Sequence, residues 1–254
     1  MKVLVTGGAG FIGSHVAGQL IEAGHTVAII DNISTGMREY VHPKAAFYET
    51  AIGDAGVAGI VEREKPEAVC HLAAQINVTE SVKNPGFDAI TNIVGTINLL
   101  EACIKGGVKR FIFSSTGGAI YGAPEKLPAT EETKPAPMSP YGTSKLCTEE
   151  YIKLYARLYP LTYVILRYGN VFGPRQVPHG ECGVCAVLTE LMLQGKQPTL
   201  YGFGEPIRDY VYVGDVARAN VLALERGDNM TMNISNGTGT TVNEIFDALK
   251  EVLY

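Results

Sequence analysis

Tyr141 and Lys145 stand four residues apart in the run Tyr141-Gly142-Thr143-Ser144-Lys145. On a helix, that spacing puts both side chains on one face, one turn apart. An ammonium beside a phenol favours the phenolate and draws its pKa down from about 10 toward neutral pH. A phenolate next to a hydride acceptor can take a hydroxyl proton while hydride leaves the same carbon. Tyrosine and lysine at this spacing are common by chance, and the bland reading is the start of an ordinary amphipathic helix. The chemistry depends on whether the rest of the chain holds a hydride carrier.

Residues 2–31 have the pattern of a dinucleotide site. Lys2 to Thr6 is a short apolar run rich in β-branched residues, which predicts a buried strand. Gly7-Gly8-Ala9-Gly10-Phe11-Ile12-Gly13 follows at once, then a helical pattern from Ser14 to Ala23, closed by Gly24. Thr26 to Asp31 is a second strand ending in a carboxylate. The glycines satisfy G-x-G-x-x-G as Gly8, Gly10, Gly13 and G-x-x-G-x-x-G as Gly7, Gly10, Gly13. Glycines let the main chain approach a pyrophosphate, which the helix N-terminus attracts. Gly13 lets the helix pack closely on the strand. Asp31, 18 residues beyond Gly13, can accept hydrogen bonds from both ribose hydroxyls and repels a 2′-phosphate, so NAD is expected over NADP. Lys145 is then placed to hold the nicotinamide ribose.

The remaining elements must bring these residues together. Strands are predicted at 46–49, 68–72, 109–114 and 162–167, and helices at 55–64 (with Asp54 as N-cap), 86–105 and 141–158. Ile90, Ile93, Val94, Ile97 and Leu100 mark one face of the second helix, and the apolar faces of 86–105 and 141–158 are expected to be mainly core. Ser115 to Gly122 is expected as a turn, and residues 123–140, with five prolines, as an irregular loop. Strands alternating with helices predict an α/β doubly wound parallel sheet of Rossmann type. After Asn170 the rhythm breaks. A helix near 183–194, strands at 198–201, 208–212 and 230–234, and helices at 214–226 and 242–253 read as a smaller mixed substrate-binding cap over the carboxyl ends of the strands. The expected division is 1–170 for the cofactor and 171–254 for the substrate, interleaved with the sheet.

Composition narrows the function. With 254 residues, a net charge of −5 and no basic block, the chain is not expected to bind nucleic acid. No membrane partner is expected, since no run reads as the roughly 18 apolar residues of a span. Met1-Lys2 opens directly into the first strand, leaving no room for a leader, and the expected compartment is cytoplasmic. Five scattered cysteines make no disulfide framework. Cys182-Gly183-Val184-Cys185, with His179 three residues before it, lacks a fourth zinc ligand, so no metal is expected. His15 is expected only to pack. His71 is read equally as packing and as a cofactor neighbour.

Over residues 1–254 the sequence resembles the extended short-chain dehydrogenase/reductases, and within them the nucleotide-sugar 4-epimerases of the UDP-glucose 4-epimerase type. The resemblance rests on Thr6–Ser14, His71-Leu72-Ala73-Ala74, Phe113-Ser114-Ser115-Thr116, Ser139–Lys145, Arg167–Gln176 and Arg208–Val216. It implies that Tyr141 is the base, Lys145 its partner and Thr116 the hydroxyl beside the sugar 4-OH. Ser115 is the neighbouring candidate, because Gly117-Gly118 makes this turn one residue longer than the commoner form. It assigns cofactor contacts to Gly7, Gly10, Phe11, Ile12, Gly13, Asp31, Asn32, Ile52, Gly53, Asp54 (toward adenine), Leu72, Ala73, Ala74, Asn92, Tyr141 and Lys145. Thr116, Tyr141, Asn170 and Arg208 are assigned to a UDP-sugar, the last two to its diphosphate. Dehydratases and decarboxylases of this family carry an acid just after the threonine; Gly117-Gly118 has none. The implied reaction is NAD-dependent 4-epimerisation of a UDP-sugar, most simply UDP-glucose and UDP-galactose, by a homodimer. A related nucleotide-sugar reductase or dehydrogenase, or a non-catalytic NAD-binding protein, are the alternatives. Relatives of this type run on by several tens of residues past the position of Tyr254, which implies that the substrate region is incomplete there.

Overall fold

The structure, a computed structural model, describes residues 1–178 and 183–253. The strands are β1 (Lys2–Thr6), β2 (Thr26–Asp31), β3 (Ala46–Glu49), β4 (Ala68–His71), β5 (Arg110–Thr116), β6 (Thr162–Tyr168), β7 (Asn170–Phe172), β8 (Ile207–Tyr212), β9 (Met230–Ile234) and β10 (Gly239–Thr241). Seven of them form a parallel sheet in the order β3-β2-β1-β4-β5-β6-β9; the other three form a mixed sheet, β10-β8-β7. The helices are α1 (Phe11–Glu22), α2 (Val57–Glu64), α3 (Val78–Lys83), α4 (Pro85–Ala89), α5 (Gly95–Gly106), α6 (Gly117–Ile120), α7 (Pro140–Leu158), α8 (Val184–Leu193), α9 (Val213–Leu222) and α10 (Val242–Leu253).

Apolar residues line both faces of the large sheet, as a parallel sheet covered on each side requires. Val3, Val5, Ile29, Ile112 and Leu166 meet Val16 and Leu20 of α1 and Val216 of α9. Leu4, Ile30, Phe111, Phe113 and Ile165 meet Val61 of α2, Leu99 and Leu100 of α5 and Ile152 of α7. The strand order reverses between β1 and β4, whose ends are in register as Thr6 beside His71. A doubly wound sheet opens a crevice at the carboxyl ends of its strands at that reversal.

Several expectations change. The helix over 86–105 is α4, a π turn over Ile90–Val94, and α5. The wider turn shifts the apolar register, so Ile90 and Val94 lie 64% and 54% exposed rather than in the core. Pro85–Gly106 is also long and apolar enough, by length and composition, to cross a membrane, against the sequence expectation. It nevertheless buries Asp88, Asn92 and Thr96 among protein groups, as a core helix does. Asp54 does not cap α2, whose N-cap is Gly56; its Oδ2 accepts instead from Thr50 Oγ1 (2.7 Å) and the Ala51 N–H (2.9 Å). β5 runs on through Thr116, and α6 begins where a plain turn was expected. No strand forms at 198–201, where a 3-10 turn covers Tyr201–Gly204. The helix expected at 214–226 is α9, ending at Leu222. β9, from the later part of the chain, is the edge strand of the large sheet.

Candidate active site

At the end of β1, Gly7 adopts φ +73°, and a Cβ there would lie 2.7 Å from the Ala73 nitrogen beyond β4. A Cβ on Gly13 would lie 2.1 Å from the Gly7 carbonyl oxygen. Both positions therefore require glycine, and they press the loop against β4. Gly10 caps α1, whose first turn carries no acidic residue. The N–H groups of Phe11, Ile12 and Gly13 have no partner among the described residues, which leaves a ready anion site. Asp31 is buried; its Oδ2 accepts from the Ala9 N–H (2.9 Å) and its Oδ1 from the Ile33 N–H (2.8 Å). Each carboxylate oxygen keeps a further acceptor position for a hydroxyl. Asn32 is exposed and accepts from the Ser34 N–H, while the Met37 N–H donates to the Ala9 carbonyl, so the loop after β2 lies on the glycine loop. Along the same edge, the Leu72 N–H donates to the Thr6 carbonyl, and Asn98 Nδ2 donates to the carbonyls of Ile52 and Asp54, leaving Gly53 exposed between them. Ala74 is half-buried. The Thr50 hydroxyl and the Ala51 N–H hold the Asp54 carboxyl below its ordinary pKa. The donors, cleft and buried carboxylate fit a dinucleotide.

His71 is internal. The Ala73 N–H donates to Thr6 Oγ1 (3.2 Å), and Thr6 Oγ1 meets His71 Nδ1 at 2.7 Å; His71 Nε2 meets Thr96 Oγ1 at 2.8 Å, and that hydroxyl donates to the Asn92 carbonyl (2.6 Å). Thr96 Oγ1 has given its proton to Asn92, so it accepts from Nε2–H, and Nδ1 accepts from Thr6. Burial, then the Lys145 charge, lowers the His71 pKa to about 3, so the ring is neutral. The packing reading of His71 holds, and the ring locks β1 and β4 to the π turn. Asn92 is committed as well: its Nδ2 lies 2.9 Å from the Gln75 carbonyl, 3.1 Å from Asp88 Oδ1 and 3.1 Å from Ser144 Oγ.

Helix α7 carries Tyr141 and Lys145 on one face. Ser139 caps it by accepting from the Gly142 N–H (3.1 Å), and Pro140 sits in its first turn. A Cβ on Gly142 would lie 2.6 Å from the Ala119 carbonyl oxygen, so α7 starts tight against α6. Lys145 is buried; its Nζ donates to the Ser114 carbonyl (2.9 Å) and lies 4.7 Å from the Phe113 ring centre. Burial lowers its pKa to about 8, opposed by Asp88 and then Glu149. Strand pleating separates the two hydroxyl candidates. Ser115 is buried and donates to Glu149 Oε1 (2.6 Å), in a cluster with Arg167, whose Nη2 lies 2.6 Å from Glu149 Oε2. Thr116 is half-buried, and its hydroxyl has no partner among the described residues. The Glu149–Arg167–Tyr121 cluster and Asp88 were not legible as site-supporting groups; a carboxylate inside an apolar helical run was the one available signal.

In the small sheet, Asn170 pairs with Tyr210, and Arg208 lies two residues earlier on β8, so Asn170 and Arg208 share a face. Asn170 Nδ2 lies 3.4 Å from the Asp209 carbonyl, and Arg208 is exposed. A cavity of about 920 Å³ opens on that face, walled by Phe172, Tyr210 and Thr240 with α8 and α10. No residue of the glycine loop, and neither Thr116 nor Tyr141, lines it. His15 Nε2 lies 2.9 Å from the Pro174 carbonyl and fastens the loop after β7 to α1. His179 and Cys182 lie outside the described residues; among the described residues no cluster of three metal-ligating side chains occurs.

The family model for the NAD dependent epimerase/dehydratase family matches residues 3–235. The chain belongs to that family. NAD is the family's cofactor. A UDP-glucose 4-epimerase of Mycolicibacterium smegmatis is 41% identical over 255 residues, covering 98% of this chain and 82% of the relative. The crystal structure of UDP-glucose 4-epimerase from Thermotoga maritima with UDP-glucose superposes with a TM-score of 0.95 at 54% identity, covering 100% of this chain and 82% of that one. The Thermus thermophilus UDP-glucose 4-epimerase complex with NAD gives a TM-score of 0.95 at 46% identity, covering 100% and 83%. In this chain, Gly117-Gly118 stands directly after Thr116 at the end of β5.

Proposed function

We propose that the chain is a UDP-glucose 4-epimerase, interconverting UDP-glucose and UDP-galactose. What supports the reading is Tyr141 and Lys145 one turn apart on α7, Lys145 anchored on the Ser114 carbonyl of β5, and, two residues further along that strand, Thr116 followed by glycines where an acid would stand. NAD, held by Gly7, Gly10, Phe11, Ile12, Gly13 and Asp31, supplies reversible hydride acceptance at C4 of the sugar. Tyr141 takes the 4-OH proton and later returns it, and Lys145, anchored on the Ser114 carbonyl, keeps the phenol acidic enough to do so. Thr116 holds the 4-oxygen in line. Gly117 and Gly118 move no proton, so no second step such as dehydration competes. Asn170 and Arg208 grip the diphosphate, a remote hold that lets the keto sugar turn without leaving. Asp54, with Ile52 and Gly53 beside it, would hold the adenine, and Leu72, Ala73 and Ala74 would line the rest of the cofactor's path. Asn32 stands beside the ribose acid, and Asn92 supports the site from behind.

A cytoplasmic site of action and a homodimer belong to the same reading. The free thiols of Cys70, Cys103, Cys147 and Cys185 suit a reducing compartment. Exposed Phe87, Ile90, Val94, Leu154 and Leu158 line neighbouring helices and suit a helical interface. The deciding experiment is a proton NMR time course of the purified protein with UDP-galactose and no added cofactor. UDP-glucose should accumulate toward equilibrium. A spectrum unchanged even after NAD is added counts against this substrate pair.

A further inference from the structure

Asp88, on α4, is a carboxylate only 1% exposed, and the scheme above gives it no task. Its Oδ1 accepts from Gln75 Nε2 (2.9 Å) and Asn92 Nδ2 (3.1 Å). Its Oδ2 is buried and has no hydrogen-bond partner, and no cation pairs with Asp88 among the described residues. The other buried carboxylates are satisfied: Glu149 by Arg167 and Ser115, Glu64 by Lys2 and Tyr48, and Asp31 by two backbone N–H groups. A buried carboxylate this poorly matched favours a cation nearby.

Lys145 is the buried cation with the matching deficit. Its ammonium rests on the Ser114 carbonyl and the Phe113 ring, neither of them an anion. The Asn92 amide lies 3.1 Å from both Asp88 Oδ1 and Ser144 Oγ, and Ser144 Oγ donates to the Tyr141 carbonyl (2.9 Å). Asp88 is thus tied, through one amide and one hydroxyl, to the helical turn that carries Tyr141 and Lys145. Other charged groups facing this turn are accounted for. Glu149 on α7 is neutralised by Arg167 of β6, with Lys153 at 3.8 Å; His71 of β4 is neutral; Glu80 of α3 accepts from Asn84, and Lys83 is exposed. Of the two carboxylates that favour the Lys145 charge, Asp88 has the larger effect.

We propose that Asp88 is a positioning residue of the reaction: an unpaired buried carboxylate that keeps the Lys145 ammonium protonated inside the protein, so that Lys145 can sustain the Tyr141 phenolate. The assignment rests on the reading of Tyr141 as the base. Removing one negative charge makes every nearby proton easier to lose, so Asp88→Asn should move both limbs of the kcat profile, phenol and ammonium, to lower pH by about one unit. Ser144→Ala breaks the tether without changing charge. It should lower the height of the profile and leave its limbs in place.

The test is the pH dependence of kcat with UDP-galactose for the unaltered protein, Asp88→Asn, Ser144→Ala and Tyr141→Phe. Limbs shifted together in Asp88→Asn alone support the proposal. Unshifted limbs in Asp88→Asn, with Tyr141→Phe inactive, overturn the role of Asp88 and leave the base assignment standing. A Tyr141→Phe protein that still turns over overturns the base assignment, and this proposal with it. If Asp88→Asn does not yield folded protein, Asp88→Ser carries the same expectation of shifted limbs and the same refutation.

Discussion

Thr116 and Ser115 are neighbours with the same chemistry and opposite surroundings. A strand turns successive side chains to opposite faces, so a one-residue difference decides between a hydroxyl open to the site and one sealed against Glu149. Ser115→Ala leaves a buried carboxylate short of a donor and should cost about 1–3 kcal/mol of stability, read as a lower Tm, with turnover changed less than about 3-fold. Thr116→Val keeps the shape and loses the hydroxyl. It should leave Tm in place and cut kcat about 10- to 100-fold. The opposite pattern would reassign the sugar contact to Ser115. Tyr141, Lys145, Asp31 and the glycines were legible in the sequence because their meaning lies in short spacings along one or two elements. The resemblance put Thr116 ahead of Ser115, but the burial of Ser115 against Glu149 was not legible, because the apolar pattern stops at Phe113 while β5 continues three residues further on polar side chains.

Between elements, the consequential contact is His71. Its ring joins Thr6 of β1 to Thr96 of α5, and so sets the carboxyl edge of the sheet against the helix behind it. The folded protein holds this ring neutral down to about pH 3, whereas an unfolded histidine takes a proton near 6.5. Between those values the unfolded state binds more protons, so stability falls as the pH drops through the window and is insensitive to this group above it. Urea unfolding from pH 7 to pH 4 should show that fall, and His71→Asn should remove about one proton from its slope. An unchanged slope would mean that the ring protonates in place. The sequence located β4 and the helix that follows it, but not this lock, because Thr6, His71 and Thr96 are 65 and 25 residues apart. The π turn was hidden for a related reason: one extra residue in a helical turn leaves no compositional trace, yet it moves Ile90 and Val94 to the outside.

For the molecule as a whole, outward-facing Ile90, Val94, Leu154 and Leu158 form the apolar surface on which the homodimer reading depends. Light scattering should give twice the mass of one chain, and the pair Ile90→Glu with Leu158→Glu should give single chains. An unaltered protein at the mass of one chain would refute the dimer. At this scale the sequence conveyed the doubly wound sheet through its alternating strands and helices. It did not convey the small sheet, because β7 and β10 are three residues each and gain their order only from pairing with β8.

The outer strand of the large sheet, β9, is made from residues 230–234, yet it lies against β6, finished at residue 168. A ribosome releasing this chain in order therefore exposes β6 with its outer row of peptide groups bare while more than sixty further residues are made. Arg110 widens the same gap, since its guanidinium waits for the carbonyls of Ala223 and Arg226 and for the carboxylate of Asp228. A nascent chain stalled after β6 presents an open strand edge of the kind that recruits other chains. The interval of synthesis between residues 168 and 234 is thus one in which an edge of the large sheet stands uncovered.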